Sequence, residues 1–204
     1  IKNSRLLTKI ELMKKTGIKF GKKNLLITFH PETLEKQRIQ KHFKSLLAVL
    51  AELKNFYLIF TMPNADPGGR VIKELIKKFV STHEERCISF DSMGHLNYLS
   101  TMQFVDGIVG NSSSGLIEAP TFNIGTINIG DRQKGRLKAK SVIDCGATKL
   151  SIEKAILSLY SKDFQKTLPS VVNPYGEGNA TDKIMEVLKK RTIKEHLKKE
   201  FFDL

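Results

Sequence analysis

The sequence predicts an α/β fold, a doubly wound parallel sheet with helices on both faces. Three observations lead there. Short apolar runs recur at residues 24–29, 56–62, 87–90, 105–109, 124–129 and 141–145, each of strand length and bounded by turn formers. Between most of them lie stretches whose apolar residues repeat at spacings of three and four, as a helix with one buried face requires. Strand then alternates with helix along most of the chain, so consecutive strands need crossovers, which makes the sheet parallel and the crossovers right-handed.

Taken in order, residues 6–15 read as a weakly amphipathic helix ending near Gly17, inside a polar, Lys-rich lead-in over residues 1–21 that suits an interdomain connection. Residues 24–29 form a buried strand between Gly21 and Pro31, with His30 at its carboxyl end. Thr33 is placed to cap a long helix that turns Ile39, Phe43, Leu46, Leu47, Leu50 and Leu53 inward. Residues 56–62 are the second strand, and the turn-forming 63–69 puts Asn64 just beyond its end. Val71, Ile72, Leu75, Ile76, Phe79 and Val80 share a helical face, and residues 87–90 make a third short strand. A short helix over 96–102 leads to the fourth strand, 105–109; His95, in the turn before that helix, is expected to face solvent. After the fifth strand, 124–129, comes the basic loop 131–136, then a sixth strand over 141–145. Ser151 is expected to open a helix carrying Ile152, Ala155, Ile156, Leu159 and Tyr160 inward; 171–178 is irregular, and two closing helices cover about 180–190 and 192–202. The expected division is a lead-in over 1–21, an α/β domain over 22–180 and C-terminal helices over 181–204.

Composition bounds the function. A chain of 204 residues with 40% hydrophobic and 27% charged residues holds one globular core. No apolar run approaches the roughly 20 residues of a membrane span and no signal peptide opens the chain, so a cytoplasmic protein without membrane contact is expected. Cys87 and Cys145 stand far apart without a CxxC or a His cluster, which suggests neither a disulfide framework nor a metal site. The net charge of +13 raises the question of nucleic acid. Its lysines are scattered over nearly every helix with no aromatic-interleaved stripe, so solvated faces account for them and no nucleic-acid partner is expected.

The chemistry concentrates in residues 104–136. There the fourth strand ends in Gly110, Asn111-Ser112-Ser113-Ser114-Gly115 follow, and a helix begins at once, only to be stopped by Pro120. Side chains this small let backbone amides approach an anion at a helix start. Asn and Ser are also ordinary caps, and the turn alone does not separate the two readings. Glu118 tips the balance, since Gly115 three residues before it denies it a capping box; a carboxylate one turn past a phosphate loop is placed to accept from ribose hydroxyls. Arg132 and Arg136 bring forked donors for phosphate. His30, Asn64, Ser112, Ser113, Glu118, Arg132 and Arg136 would all face one rim of a doubly wound sheet. They include no nucleophile–base pair and no metal cluster, so the chain reads as a binding and leaving-group wall that needs a second wall for chemistry.

GNSSSGLIEAP followed by INIGDRQKGR resembles the signature of the UDP-N-acetylglucosamine 2-epimerase family, most closely its hydrolysing branch in sialic-acid-type sugar synthesis. The resemblance extends to Thr28-Phe29-His30-Pro31-Glu32, Pro63-Asn64-Ala65-Asp66 and Asn173-Pro174-Tyr175-Gly176, and so covers nearly the whole chain. It implies a Rossmann-like domain forming the C-terminal half of a glycosyltransferase-B-like fold, with a UDP-sugar in the cleft between two domains. The chain opens at Ile1 without a methionine, and the resemblance implies an N-terminal half before it, toward which the last helices would pack. It implies removal of a C2 proton, departure of UDP from C1 and addition of water, giving N-acetylmannosamine and UDP, with no cofactor and with a homo-oligomeric full-length protein. By the same resemblance Ser112, Ser113, Ser114 and Gly115 hold the diphosphate, Glu118 the ribose and Arg132 a phosphate. His30 is catalytic or phosphate-contacting, Asn64 touches the nucleotide, and the backbone after Phe90 lies against the uracil. Gln133 and Arg136 match the motif, although loop structure is the first reading of both. A glycosyltransferase of the same fold and a non-enzymatic basic nucleic-acid module are the alternatives.

Overall fold

The computed structural model describes residues 1, 4–31, 36–64, 68–176 and 178–190. Its sheet has six strands, all parallel, in the order β3-β2-β1-β4-β5-β6: β1 (Lys23–Thr28), β2 (Phe56–Thr61), β3 (Cys87–Phe90), β4 (Gly107–Gly110), β5 (Gly125–Ile129) and β6 (Val142–Cys145). The chain winds outward from β1 to β3, then returns to the middle and winds the other way. Neighbouring helices therefore diverge between β1 and β4, where Leu25 pairs with Gly107 and Thr28 with Gly110. That is the switch point at which open α/β sheets leave a crevice beyond their carboxyl ends.

The central strands are buried over nearly their whole length because both faces are covered, and most of their residues are apolar. On one face Leu25, Ile27, Phe29, Leu58, Phe60, Val109, Ile127 and Ile129 pack against α2 (Lys36–Glu52), α3 (Gly69–Ser81) and α6 (Lys149–Leu159). On the other, Leu26, Tyr57, Ile59 and Ile108 meet Ile18 beside α1 (Lys9–Thr16) and Leu99 and Met102 of α4 (Gly94–Met102). The lead-in thus joins the core: Leu12 and Ile18 are buried, and α1 lies against α4. α1 is closed by a full capping box between Thr8 and Glu11 and by left-handed Gly17.

α6 begins at Lys149, capped by Thr148, whose hydroxyl accepts from the Ser151 amide at 3.3 Å. The expected start at Ser151 was late because the apolar period begins only at Ile152. α7 (Lys162–Thr167) has no counterpart in the sequence reading, since its six residues offer one inward anchor, Phe164, and no period to detect. The cap expected at Thr33 and the helix expected over 192–202 lie outside the described residues. The described chain up to Tyr175 forms one compact unit. α8 (Ala180–Lys190) belongs to a second unit and exposes Ile184, Met185, Val187 and Leu188. Among the described residues no helix is long and apolar enough to cross a membrane.

Candidate functional site at the switch point

The crevice is built on one residue that cannot carry a side chain. Gly110 closes β4 at φ +142°, and a Cβ there would sit 2.0 Å from the Thr28 carbonyl oxygen. The close approach of the two strand ends lets Asn111, the next residue, reach across. Its amide donates to the Thr28 carbonyl at 3.2 Å. Its side chain pairs with both backbone groups of His30, Oδ1 accepting from the amide at 2.7 Å and Nδ2 donating to the carbonyl at 2.9 Å. Asn111 is wholly buried, and its carbonyl accepts from Arg132 Nη1 at 3.1 Å and Gln133 Nε2 at 2.7 Å. One asparagine thus ties β1, β4 and the basic loop after β5 together.

His30 is oriented from a third direction. Its Nδ1 accepts from the backbone amide of Asn64 at 3.3 Å, so the proton of the neutral ring resides on Nε2. Structure therefore brings His30, Asn64 and Arg132 around Asn111, with the serine turn leading away from it. Within that turn Ser114 N–H reaches Ser112 Oγ at 3.4 Å, and the Gly115 amide is bonded to the Ser112 carbonyl at 3.3 Å. Among the described residues, the amides of Ser112 and Ser113 donate to no protein acceptor, and both residues are only partly buried. They are two backbone donors that the described protein acceptors leave unsatisfied. The helix behind them, α5 (Ser114–Ile117), is a single turn, too short to present a long macrodipole.

α5 is pressed close to the sheet: a Cβ on Gly115 would lie 2.5 Å from Thr126 Cγ2, and Thr126 Oγ1 donates to the Gly115 carbonyl at 2.7 Å. Asn173 Nδ2 satisfies the carbonyl of Ile117 at 2.8 Å, which explains locally why an Asn-Pro turn passes there. Glu118 is half-buried at the carboxyl end of α5, and its charge reaches the Tyr98 phenol. Phe90 ends β3, two strands from β1; its carbonyl accepts from the Met62 amide at 2.9 Å and its ring is half-buried against the second core cluster. Arg136 is exposed, and its amide closes a turn on the Gln133 carbonyl at 3.3 Å; among the described residues its side chain makes no contact with the clasp. A cleft of about 550 Å³ opens beside the same loop, lined by Arg38, His42, Lys134 and Lys138, with Lys138 paired to Asp144 at 2.8 Å.

Three residues of the constellation had no functional reading in the sequence: Asn111, Gln133 and Tyr98. Asn111 looks like a cap and Gln133 like part of a turn. Asn111 meets His30 over 81 positions, Gln133 meets Asn111 over 22 and Tyr98 meets Ser114 over 16, contacts that no local pattern reports. Burial pushes both thiols, Cys87 and Cys145, up to about 11, so they are packing groups rather than nucleophiles. Among the described residues no cluster of His, Cys, Asp and Glu could hold a metal ion.

Fold and site together define a doubly wound α/β domain with a crevice at its switch point, where Asn111 holds His30 and Arg132. The chain belongs to the UDP-N-acetylglucosamine 2-epimerase family, whose model matches residues 3–189. It is 41% identical over 205 residues to the GDP/UDP-N,N'-diacetylbacillosamine 2-epimerase (hydrolyzing) of Campylobacter jejuni, covering 100% of this chain and 53% of that protein. Among solved structures it is similar to a Staphylococcus aureus MnaA–UDP complex, with a TM-score of 0.68, 20% identity and coverage of 92% of this chain and 48% of the other. It also superposes on the C-terminal domain of a Francisella tularensis glycosyl transferase group 1 protein, LpcC, with a TM-score of 0.53 and 13% identity, covering 90% of this chain and 94% of that domain. The domain is therefore of the type that forms the C-terminal half of glycosyltransferase-B-like proteins. The chain spans about half the length of the curated relatives it matches.

Proposed function

We propose that this chain is the nucleotide-holding half of a hydrolysing 2-epimerase acting on a UDP-linked 2-acetamido sugar. The observation that carries the reading is the pair of unpartnered amides at Ser112 and Ser113 beside a clasp that fixes His30 and Arg132 on the same rim. In this reading those amides and Arg132 hold the diphosphate, with Ser114, Gly115 and Arg136 around it. Glu118 accepts from the ribose, Asn64 and the backbone after Phe90 line the nucleoside, and His30 presents Nε2–H to the phosphate that leaves. The chemistry is elimination followed by hydration. A base on the other wall takes the C2 proton, the C1–O bond breaks with its electron pair leaving on UDP, and water then supplies hydroxyl to C1 and a proton to C2. The residues identified here stabilise the leaving charge, which is where preorganised donors lower a barrier most.

The hydrolysing branch is supported by the name of the 41%-identical relative, which also supports a diacetamido sugar as one candidate substrate. That relationship favours an epimerase over a glycosyltransferase or a nucleic-acid module. Residence in the cytoplasm and self-association of the whole protein belong to the same proposal.

Calorimetric titration with UDP tests it. Glu118→Gln and Arg132→Ala should each weaken UDP binding, by about 1.5–3 kcal/mol for loss of a hydrogen bond to a charged group. Titrations that show both variants binding as the parent does would remove these assignments. Binding of DNA with steep salt dependence and indifference to UDP would favour a nucleic-acid module instead.

A further inference from the structure

Behind Ser114 lie three hydroxyls that the reading above leaves without a role. The Tyr98 hydroxyl of α4 is 2.6 Å from Ser114 Oγ. The Thr28 hydroxyl sits beside the same phenol, and Thr28 Oγ1 is 2.7 Å from Thr61 Oγ1, with both threonines buried. Four hydroxyls thus run from the carboxyl ends of β2 and β1 to the first residue of α5. In the Thr28–Thr61 and Tyr98–Ser114 contacts either oxygen can donate. The bond that would fix the far end, from Thr61 Oγ1 to the Ile27 carbonyl, is 3.5 Å long, beyond the usual range for a hydroxyl donor. Burial raises the Tyr98 phenol above its ordinary value, so it keeps its proton through neutral pH. The amide of Ser114 is already directed to Ser112 Oγ, which leaves the hydroxyl as the group through which Ser114 can answer a ligand.

We propose that Tyr98 is a positioning residue for the anion at the serine turn: it donates to Ser114 Oγ and so turns the Ser114 proton outward to the phosphates. Thr61 and Thr28 donate in the same direction behind it. The chain transfers no proton. It aligns four O–H dipoles, and each bond polarises the next, so the last donor is stronger than an isolated serine would be. With no anion present the opposite order is equally accommodated, which leaves the ligand to select the outward one.

This inference rests on the serine turn being a diphosphate site, and the test separates the two. UDP and uridine are titrated into the 204-residue chain, into Tyr98→Phe, into Ser114→Ala and into the double variant, with thermal unfolding recorded for each. The parent should bind UDP more tightly than uridine; if it does not, the diphosphate reading and this proposal fall together. Given that preference, Tyr98→Phe, which keeps the ring and its packing, should lose roughly 3–10-fold in UDP affinity, the scale of one hydrogen bond, and keep its affinity for uridine. Ser114→Ala should lose a similar factor, and the double variant no more than either single change. Unchanged UDP binding by Tyr98→Phe, equal losses for UDP and uridine, or losses that multiply in the double variant would overturn the proposal while leaving the diphosphate site standing. Should Tyr98→Phe not fold, Thr28→Val combined with Ser114→Ala carries the same cycle one step further along the chain.

Discussion

Asn111 commits each of its four polar atoms to other parts of the chain: the amide to Thr28, the side-chain amide to both backbone groups of His30, and the carbonyl to Arg132 and Gln133. Its own identity, rather than its size, is therefore the requirement. Asn111→Asp keeps the volume but sets a carboxylate oxygen where Nδ2 now donates to the His30 carbonyl at 2.9 Å. A buried acceptor facing an acceptor should cost about 1–3 kcal/mol, a drop of several degrees in thermal midpoint for a chain of this size. UDP affinity should fall with it, because His30 and Arg132 lose their common reference. Retention of the parent midpoint by Asn111→Asp would show that the clasp carries no load. The residues around this asparagine were readable in advance to different degrees. His30, Asn64 and the serines stand at the carboxyl ends of apolar runs, a position that sequence reveals. Asn111 closes contacts over 81 positions in the chain, and nothing near it in sequence reports them.

Elements were legible in proportion to how fully they are buried. The central strands have both faces covered, so their apolar runs stand out, whereas α7 is a single amphipathic turn and a half whose one anchor leaves no period. The tightest joint between elements is β1 against β4. Gly110→Ala would place a Cβ 2.0 Å from the Thr28 oxygen at a φ of +142°. Backbone strain of about 1–3 kcal/mol and overpacking of about 1–3 kcal/mol should add there, and the variant should unfold at markedly lower denaturant with UDP binding lost. α6 offers a milder case: Thr148→Ala removes the cap on the Ser151 amide and should cost about 1 kcal/mol by urea unfolding. α1 carries a pH signature. The Thr8 amide, and then the Thr8 hydroxyl, stabilise the charged Glu11 carboxylate and hold its pKa below 4.5. A lowered folded value means that the contribution is present in full above the unfolded pKa and is lost as pH falls through the folded one. The stability difference between the parent and Glu11→Gln should stay level above pH 4.5 and shrink on acidification below it. A difference that grew toward acid would reverse the assignment.

At the scale of the whole molecule, charge and coverage make separate demands. The excess of +13 is spread over helix faces, and among the described residues Arg38, Lys134 and Lys138, with Asp131 and Asp144 between them, line the cleft beside the Arg132 loop. In the proposed reading the groups on this rim would bind and stabilise a leaving diphosphate, and none of them is assigned as a base for a sugar C2 proton. Relatives with the matching activity in their names are about twice as long as this chain. The physical expectation is a separation of binding from turnover. Residues 1–204 alone should bind UDP, at an affinity weakened by the water that replaces the opposite wall, and UDP-N-acetylglucosamine no more tightly than UDP, because the hexose then meets solvent. Incubated with UDP-N-acetylglucosamine and followed by proton NMR, the chain should release neither UDP nor N-acetylmannosamine. Appearance of free N-acetylmannosamine from these residues alone would mean that a base for the C2 proton lies on this rim, and the division of labour between two walls would have to be abandoned.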